Sequence, residues 1–311
     1  MDTPMDALQL DGIPEFLLAA QLQSFTAAAL QLGVTSSAVG KSVSRLEKRL
    51  GIKLLHRTTR KLSLSSEGEI YLATCQRVME DLQETEGCLS TGLVEPRGRL
   101  RIDLPAAFGR RHIAPLVIAL ARKYAQLDLT MTFGERTVDL IAEGIDLSVR
   151  IGELNNDPEL VARHLGDQHL VICASPDYLR QHAPINQKTD LLQQDCVIGW
   201  RKGSRASWLL QGPNGVEHQD IRVRHEFGDG EMMLKATVEG HGLCQLPTWL
   251  VGEQLRSGEL VTVLDHYAGA RMPIHVIWPK TRYLQPKLRT VIDELLRMTE
   301  THAELFSPWS H

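Results

Sequence analysis

The sequence has no apolar run long enough to cross a membrane, which takes roughly 18 to 20 consecutive residues. Its opening, MDTPMDALQL, lacks the basic start and the apolar stretch of a secretory signal. We therefore expect a protein of the cytoplasm. The 311 residues, of which 43% are hydrophobic, are too many for one modest core and enough to fill two or three compact units.

Cysteine is scarce and scattered, and familiar catalytic motifs are missing. The cysteines form no C-x-x-C pair and no Cys/His cluster at the spacing of metal ligands, which favours buried thiols. They are Cys75, Cys88, Cys173, Cys196 and Cys244. The sequence contains no GxSxG, no HExxH, no P-loop and no GxGxxG after a predicted strand. We therefore expect a protein that is not an enzyme and that has no metal site and no cofactor.

Positive charge is concentrated in one segment of a chain that is acidic overall. Residues 34–66 contain eight Lys or Arg and one acid, Glu47, so the segment carries +7. Because the formal net charge of the chain is -4, the remainder carries -11. A basic module attached to an acidic body is typical of a DNA-binding domain that carries a sensor domain.

The basic segment belongs to a predicted three-helix module. Asp11 is the predicted N-cap of a helix through Ala20, and Ser24 caps a second helix that Gly33 ends in the left-handed conformation. A third helix is predicted over residues 36–50, closed by a glycine. Its apolar stripe, spaced four, three and four residues apart, consists of Val39, Val43, Leu46 and Leu50.

The opposite face of the third helix is polar, basic and free of bulky side chains. Its members are Ser37, Lys41, Ser44 and Lys48. Such a face fits the major groove of duplex DNA, where Ser and Lys can meet base edges while Arg45 and Arg49 reach the phosphate backbone. An ordinary solvated helix surface has the same composition, so this face alone leaves both interpretations open.

Two short strands around a basic turn are predicted directly after the third helix. The turn, TTRK at residues 58–61, can lie along a phosphate backbone or enter the minor groove with Arg60 or Lys61. A wing of this kind beside a basic helix favours DNA binding over a solvated surface.

Residues 25–68 resemble the winged helix-turn-helix of LysR-type transcriptional regulators. The matching stretches are the small-residue second helix, AV at 38–39, RLEKRLG at 45–51, LLHRTTR at 54–60 and L-S-x-x-G at 64–68. The chain departs from the family at Ser36-Ser37, where Gln-Pro is frequent, and at Gly40, where Ser is common, so the operator sequence cannot be transferred. The expected DNA contacts are Thr26, Thr35, Ser36, Ser37, Lys41, Arg45, Arg57, Thr58, Thr59, Arg60 and Lys61.

A linker helix is predicted after the wing, with Ser65 as its N-cap. Its near-heptad apolar stripe consists of Tyr71, Cys75, Val78, Leu82 and Leu89. So short a stripe can pack on its own domain or pair with a second chain, and the family resemblance implies pairing. Gly92, Pro96 and Gly98 then indicate a hinge.

Beyond residue 98 the chain alternates short apolar strands with helices, a rhythm typical of α/β proteins. Gly240-His241-Gly242 is predicted to be a turn between a helix and a strand rather than a phosphate loop. A helix is predicted over residues 113–124, and the last helix begins near Pro286. Strands are predicted at 100–104, 127–133, 145–151, 169–174, 196–200, 221–227, 243–246, 260–263 and 274–278.

The second part of the chain also resembles LysR-type regulators, which implies a periplasmic-binding-protein-like sensor of two α/β lobes joined by two crossovers. The matching stretches are GRLRIDLPAAFGRRHIAP, VDLIAEGIDLSVRIGEL, CASPDYL and GHGLCQLP. The expected domains are a winged helix-turn-helix at 1–65, a linker and hinge at 66–96 and an effector-binding domain at 97–311. Its expected lobes are residues 97–163 with 272–301, and residues 164–271.

On that template a ligand cleft lies between the lobes, at strand ends and helix starts that suit a small molecule. Many relatives have Ser or Thr where this chain has Ala106 or Ala107, so a more apolar wall is expected. The expected effector is small, partly apolar, and aromatic or anionic, with Arg150 or the amides near Gly230 and Glu231 meeting any anionic end. Arg150 either clamps an anion or pairs with Asp146 or Glu153. The expected cleft residues are Pro105, Ala106, Ala107, Phe108, Arg150, Ile151, Gly152, Trp200, Phe227, Gly228, Asp229, Gly230 and Glu231.

The sequence thus predicts a LysR-type regulator whose binding to operator DNA responds to a small-molecule effector. Its expected partners are duplex DNA, the effector, further copies of itself in a homodimer and homotetramer, and RNA polymerase. One alternative is a solute-binding or enzymatic α/β protein with a fortuitous basic head. Another is a sequence-tolerant architectural DNA protein, although such proteins seldom carry a large acidic α/β body.

Overall fold

The computed structural model divides the chain into two compact units, Met1–Leu93 and Val94–His311. It describes residues 10–57, 62–91, 95–199 and 206–306. Within these ranges, no helix is both long and apolar enough to span a membrane. Each unit has a hydrophobic core of its own.

The N-terminal unit begins with the three predicted helices, α1 (Ile13–Leu22), α2 (Phe25–Leu32) and α3 (Ser36–Leu50). The predicted N-cap Ser24 is confirmed, since its hydroxyl accepts the Ala27 amide. Asp11 is not the cap of α1, which instead starts at a left-handed Gly12 without a side-chain cap. A Cβ on Gly12 would lie 2.9 Å from the Ser42 carbonyl oxygen, so the close approach of α1 to α3 requires glycine there.

The wing is confirmed as two antiparallel strands, β1 (Leu55–Arg57) and β2 (Leu62–Leu64). The predicted basic turn at residues 58–61 lies outside the described residues. The apolar side of α3 packs against the other helices and the wing in one core, as its periodicity predicts. Its fully buried side chains include Phe16, Val39, Val43, Leu46 and Leu54.

A buried carboxylate fastens the wing to α3. Glu47 Oε1 accepts the backbone amides of Leu54 and Leu55 at 3.0 and 3.1 Å, and its other oxygen accepts the Lys53 ammonium at 2.7 Å. Burial raises the pKa of Glu47, but Lys53 and the two amides outweigh it and leave this pKa below its ordinary value. The one acid of the basic segment is therefore structural, and it fixes where the first wing strand begins.

The linker helix α4 (Ser66–Thr91) starts at the predicted cap, with the Ser65 hydroxyl accepting the Gly68 amide at 2.9 Å. Its predicted apolar stripe divides into two parts. Tyr71 and Cys75 pack into the core of the N-terminal unit, whereas Val78 and Leu82 are exposed. The first part of the stripe therefore packs on its own unit and the second part does not.

The C-terminal unit is an α/β structure. Its strands are β3 (Gly98–Leu104), β4 (Leu127–Phe133), β5 (Leu147–Ile151), β6 (Leu160–Ala174), β7 (Cys196–Gly199), β8 (Ser207–Gly212), β9 (Gly215–Asp220), β10 (Val223–Phe227), β11 (Leu243–Pro247), β12 (Val261–Val263) and β13 (Arg271–Pro279). Its helices are α5 (Ala106–Phe108), α6 (Ala114–Lys123), α7 (Leu140–Glu143), α8 (Pro176–Gln181), α9 (Gly230–Val238), α10 (Thr248–Ser257) and α11 (Pro286–Thr301), with a π-helical turn at Gly109–Ile113. Short 3-10 segments lie at Lys188–Leu192, Asp265–Tyr267 and Ala303–Phe306.

In the described part of this unit, nine strands form one sheet in two halves. In the first half β3 is parallel to both β4 and β5, and in the second β7 is parallel to both β10 and β11. The long strand β6 belongs to both halves, because it pairs with β13 over most of its length and with β11 near its end. Strands β6 and β13 are thus the two crossovers between the halves, and β8 and β9 form a separate hairpin.

The predicted strands are found with small shifts at their ends, and two features were not predicted. Strand β6 begins at Leu160, nine residues before the predicted start. Its first part, LVARHLGDQ, was missed because it is largely polar, and it is a strand because it pairs with β13 through backbone hydrogen bonds. The hairpin β8–β9 was missed because β9, GVEHQD, has no apolar alternation. The Gly240-His241-Gly242 turn is confirmed, with both glycines at positive φ.

Candidate functional site

The outer face of α3 is exposed, basic and shallowly concave. Lys41, Ser44, Arg45 and Lys48 are exposed along it, and with Ser37 and Gly40 they border one depression. The Ser44 hydroxyl bonds back to the Gly40 carbonyl at 2.7 Å, which keeps that side chain low on the helix. Because the glycine and the serines have small side chains, the surface between the cations is low enough for another macromolecule to approach the helix closely.

Two of the predicted DNA contacts also form hydrogen bonds within the N-terminal unit. The Thr35 hydroxyl caps α3 by accepting the Ala38 amide at 3.2 Å. Arg45 donates to Ser42 at 3.2 Å and lies 3.7 Å from Asp11, although its side chain stays largely exposed. Thr26, Ser36 and Ser37 are exposed, and Arg57 belongs to β1. Thr58, Thr59, Arg60 and Lys61 lie outside the described residues.

A cavity of about 340 Å³ lies in the C-terminal unit where strand ends from both halves of the sheet converge. Pro105 follows β3, Ile151 ends β5, and Gly199, Phe227 and Pro247 end β7, β10 and β11. The carboxyl ends of parallel strands are where α/β folds commonly hold ligands. The residues that line the cavity are Pro105, Ala107, Phe108, Glu135, Ile151, Gln168, Leu170, Ile198, Gly199, Ala206, Ser207, Trp208, Phe227, Gly228, Asp229, Gly230, Met233, Gln245, Leu246, Pro247, Trp249, Leu250 and Met272.

The predicted cleft residues are only partly brought together. Those that line the cavity are Pro105, Ala107, Phe108, Ile151, Phe227, Gly228, Asp229 and Gly230. Ala106, Arg150, Gly152 and Glu231 do not line it, and Trp200 lies outside the described residues. Phe108 is almost fully buried and packs edge-on against Trp249, with ring centroids 5.2 Å apart. It is therefore a core residue as well as a cavity wall.

Arg150 has a partner that the sequence did not suggest. Its guanidinium lies 3.1 Å from the Asp103 carboxylate; the Asp103 side chain is buried, and the Arg150 side chain is 14% exposed. It also donates to the Arg136 carbonyl at 3.2 Å. Asp146, one of the predicted partners, instead accepts the Arg101 amide at 2.7 Å. Arg150 is thus held in an ion pair with a buried carboxylate, next to the lining residue Ile151.

Two ion pairs connect the halves of the unit near the cavity. Arg110 and Arg111, on the π-helical turn after β3, bind Asp229 and Glu231 at the start of α9. The Arg111 pair is bidentate, with distances of 2.6 and 2.7 Å. Asp229 also caps α9 by accepting the Glu231 amide at 2.7 Å. The Glu231 amide, one of the expected anion contacts, is therefore already bound to the protein's own carboxylate.

Several lining residues were not predicted. Trp249 donates to Gln168 at 3.0 Å, and Gln245 bonds both backbone groups of Leu209, which fixes hairpin β8–β9 beside the cavity. Glu135 accepts the Ala106 amide at 3.0 Å, and burial, assisted by nearby Asp229, raises its pKa. Glu135 and Trp249 each lie two residues beyond a strand, so the strand-end rule could have found them. Trp208 belongs to the missed hairpin.

Known families match both units. The model of bacterial regulatory helix-turn-helix proteins of the lysR family matches residues 13–69. The model of the LysR substrate binding domain matches residues 94–300, about two thirds of the chain. The chain belongs to the LysR-type family of transcriptional regulators. It is a DNA-binding regulator with a C-terminal effector-binding domain.

Curated and solved LysR-type proteins cover nearly the whole chain. The regulator DmlR of Escherichia coli is 36% identical over 259 residues, which is 83% of this chain and 84% of that protein. The structure of CrgA from Neisseria meningitidis, 29% identical, covers 95% of this chain and 98% of its own with a TM-score of 0.59. The Vibrio cholerae virulence activator AphB, 24% identical, covers 93% and 99% with a TM-score of 0.58.

The predicted fold class of this LysR-type chain is confirmed. A winged helix-turn-helix and a linker helix precede an α/β effector domain, and the full-length structures of the family share that order. The family consists of transcription regulators rather than enzymes. Among the described residues, no cluster of three or more His, Cys, Asp or Glu suits a metal ion.

Proposed function

We propose that the outer face of α3 enters the major groove of operator DNA. The observation that supports this is the row of exposed Lys41, Ser44 and Lys48 along a helix whose other side forms the core of the unit. Cations at this spacing neutralise phosphates, and short hydroxyls leave the backbone close to base edges. The remaining proposed contacts are Thr26, Thr35, Ser36, Ser37, Arg45, Arg57 and residues 58–61 of the wing.

Replacing Lys41 by alanine should weaken binding to a duplex from the gene's own upstream region by about 1 kcal/mol, or roughly fivefold. The slope of log affinity against log salt should fall by about one, because one phosphate contact is lost. Fluorescence anisotropy at several salt concentrations measures both. Lys123→Ala, which removes an equal charge from an exposed position of α6, is the control and should change neither the affinity nor the salt dependence. Equal affinity of the two variants at low salt would contradict the assignment.

We propose that the cavity between the two halves of the C-terminal sheet binds the effector. Its support is the convergence of strand ends from both halves on one space of about 340 Å³, within the size range of small-molecule sites. A ligand there touches both halves and so favours one arrangement of them over another. Its differential affinity for the two arrangements then sets how far operator binding changes.

A bulkier side chain in the cavity should exclude small ligands. Ile151→Phe is expected to weaken binding of benzyl alcohol, a minimal aromatic probe, by at least about fivefold, because the side chain ends β5 at the cavity wall. Methyl NMR of Met233 and Met272, which both line the cavity, reports binding in the full-length protein. Ile118→Phe, the same change at an exposed position of α6, should bind the probe normally. If both variants bind it like the unmodified protein, the cavity is not the ligand site.

We further propose that the chain works as a homodimer that pairs into a tetramer. The exposed Val78 and Leu82 of α4 support a helical seam with a second copy, since apolar side chains in a linker helix are stabilised by such pairing. A regulator bound to operator DNA in this form acts in the cytoplasm, where it can also contact RNA polymerase. It acts by binding and not by catalysis.

A further inference from the structure

The effector cavity has aromatic and thioether walls. Phe108, Trp208, Phe227 and Trp249 contribute rings, and Met233 and Met272 contribute sulfur atoms. Flat rings and polarisable sulfur provide broad contact area for an aromatic ligand. Among the described residues, no Lys, Arg or His lines the cavity. The wall therefore offers an aromatic ring good contacts, and its described part offers an anion no cation.

Among the described residues around the cavity, one carboxylate has no ion-pair partner. Three arginines there are each bound to another carboxylate: Arg110 to Asp229, Arg111 to Glu231, and Arg150 to Asp103. Glu135 is the acid left over. It lines the cavity, and its one hydrogen bond in the described structure is the Ala106 amide, which occupies a single oxygen. In the described part of the cavity, the second oxygen of Glu135 thus remains as an acceptor on a carboxylate without an ion-pair partner.

The start of α9 already carries a carboxylate of the protein, which weakens its attraction for an anionic ligand. Asp229 already occupies the helix N-terminus by accepting the Glu231 amide, and Arg110 binds the same carboxylate. These contacts hold the pKa of Asp229 below its ordinary value although burial opposes them. An incoming carboxylate would thus meet Glu135 and Asp229, and the described residues that line the cavity include no Lys or Arg to pair with it.

We propose that the cavity selects an aromatic molecule whose head group is a hydrogen-bond donor and not an anion, with Glu135 accepting from that head group. The proposal rests on the cavity's proposed function as the effector site, and it adds the chemical class of the effector. An alkylammonium head group gains both a hydrogen bond and charge attraction, a hydroxyl gains the hydrogen bond alone, and a carboxylate gains neither.

Three probes of similar size separate the contribution of the hydrogen bond from that of charge attraction in the full-length protein: benzylammonium, benzyl alcohol and benzoate. Titrations followed by the methyl signals of Met233 and Met272 should give affinities in that order, with about tenfold or more between the first and the last. In Glu135→Gln, benzylammonium should lose most of its advantage. The affinity for benzyl alcohol should change by no more than about twofold, because the glutamine amide can still hydrogen-bond to a hydroxyl, which accepts as well as donates. Glu253→Gln, on the exposed side of α10, should leave the order unchanged.

The outcomes distinguish the two proposals. If no probe moves the methionine signals, the cavity is not a ligand site, and both the proposed effector site and this inference are overturned. If the probes bind but benzoate binds as tightly as benzylammonium, only the inference is overturned. A preference for benzylammonium that stays unchanged in Glu135→Gln would likewise overturn the inference and leave the effector site standing.

Discussion

Replacing Gly68 by alanine is expected to destabilise the N-terminal unit by about 3 kcal/mol and to abolish most of its DNA binding. In a helix this substitution ordinarily stabilises by roughly 1 kcal/mol, because glycine is a poor helix former. Here a Cβ would lie 2.9 Å from the carbonyl carbon of Leu54, and its oxygen would be closer still. Helix α4 could then no longer lie against the start of the wing.

Leu54 cannot move aside to make room, because its backbone is held from both sides. Its amide donates to Glu47 at 3.0 Å, and its carbonyl accepts the Ser65 amide at 3.0 Å. Its side chain is fully buried. The overlap must therefore displace either the α3 anchor or the first turn of α4. This close contact gives a physical reason for the glycine of the L-S-x-x-G motif.

Gly40→Ala is the matched control, since Gly40 is also helical and an added Cβ there meets nothing within 4 Å. It should slightly stabilise the unit. Hydrogen exchange of the wing and α4 peptides in the full-length protein measures both effects, with faster exchange for Gly68→Ala and slower for Gly40→Ala. Equal protection in both variants would show that the wing has more freedom than these contacts allow.

The parts of the fold that the sequence predicted are those set by local patterns. Helix α3 spans the predicted residues because the signals that determine it are local: the spacing of its apolar residues and the capping residue at each end. The failures are elements set by distant partners. Strand β6 is polar at its start and is a strand there because β13, more than a hundred residues later, pairs with it.

The same contrast between local patterns and distant partners applies to the two candidate sites. The exposed face of α3 follows from its periodicity, whereas the cavity depends on which strand ends the topology brings together. Pro105 and Ile151 were expected from the family resemblance, which places the cleft at strand ends. Gln168 lies within a strand and lines the cavity only because β6 connects the two halves. The partner of Arg150 could not be predicted, because Asp103 is 47 residues away and adjacent only through sheet pairing of β3 with β5.

Replacing Arg150 by methionine is expected to lower the free energy of unfolding of the C-terminal unit by about 3 kcal/mol. Asp103 would remain buried without its cation, and Thr132, which donates to it at 2.6 Å, cannot replace a full charge. Hydrogen exchange of the β3 and β5 amides in the full-length protein, measured at increasing urea, should show this loss.

The double variant Arg150→Met with Asp103→Asn is expected to recover much of that stability. Asparagine can still accept from Thr132, and it leaves no unpaired charge in the interior. Recovery of this kind indicates that the cost of the single variant comes from the stranded carboxylate and not from lost packing of the arginine. If Arg150→Met instead keeps normal exchange and loses only ligand binding, then Arg150 contacts the ligand directly, and its pairing with Asp103 is incidental to stability.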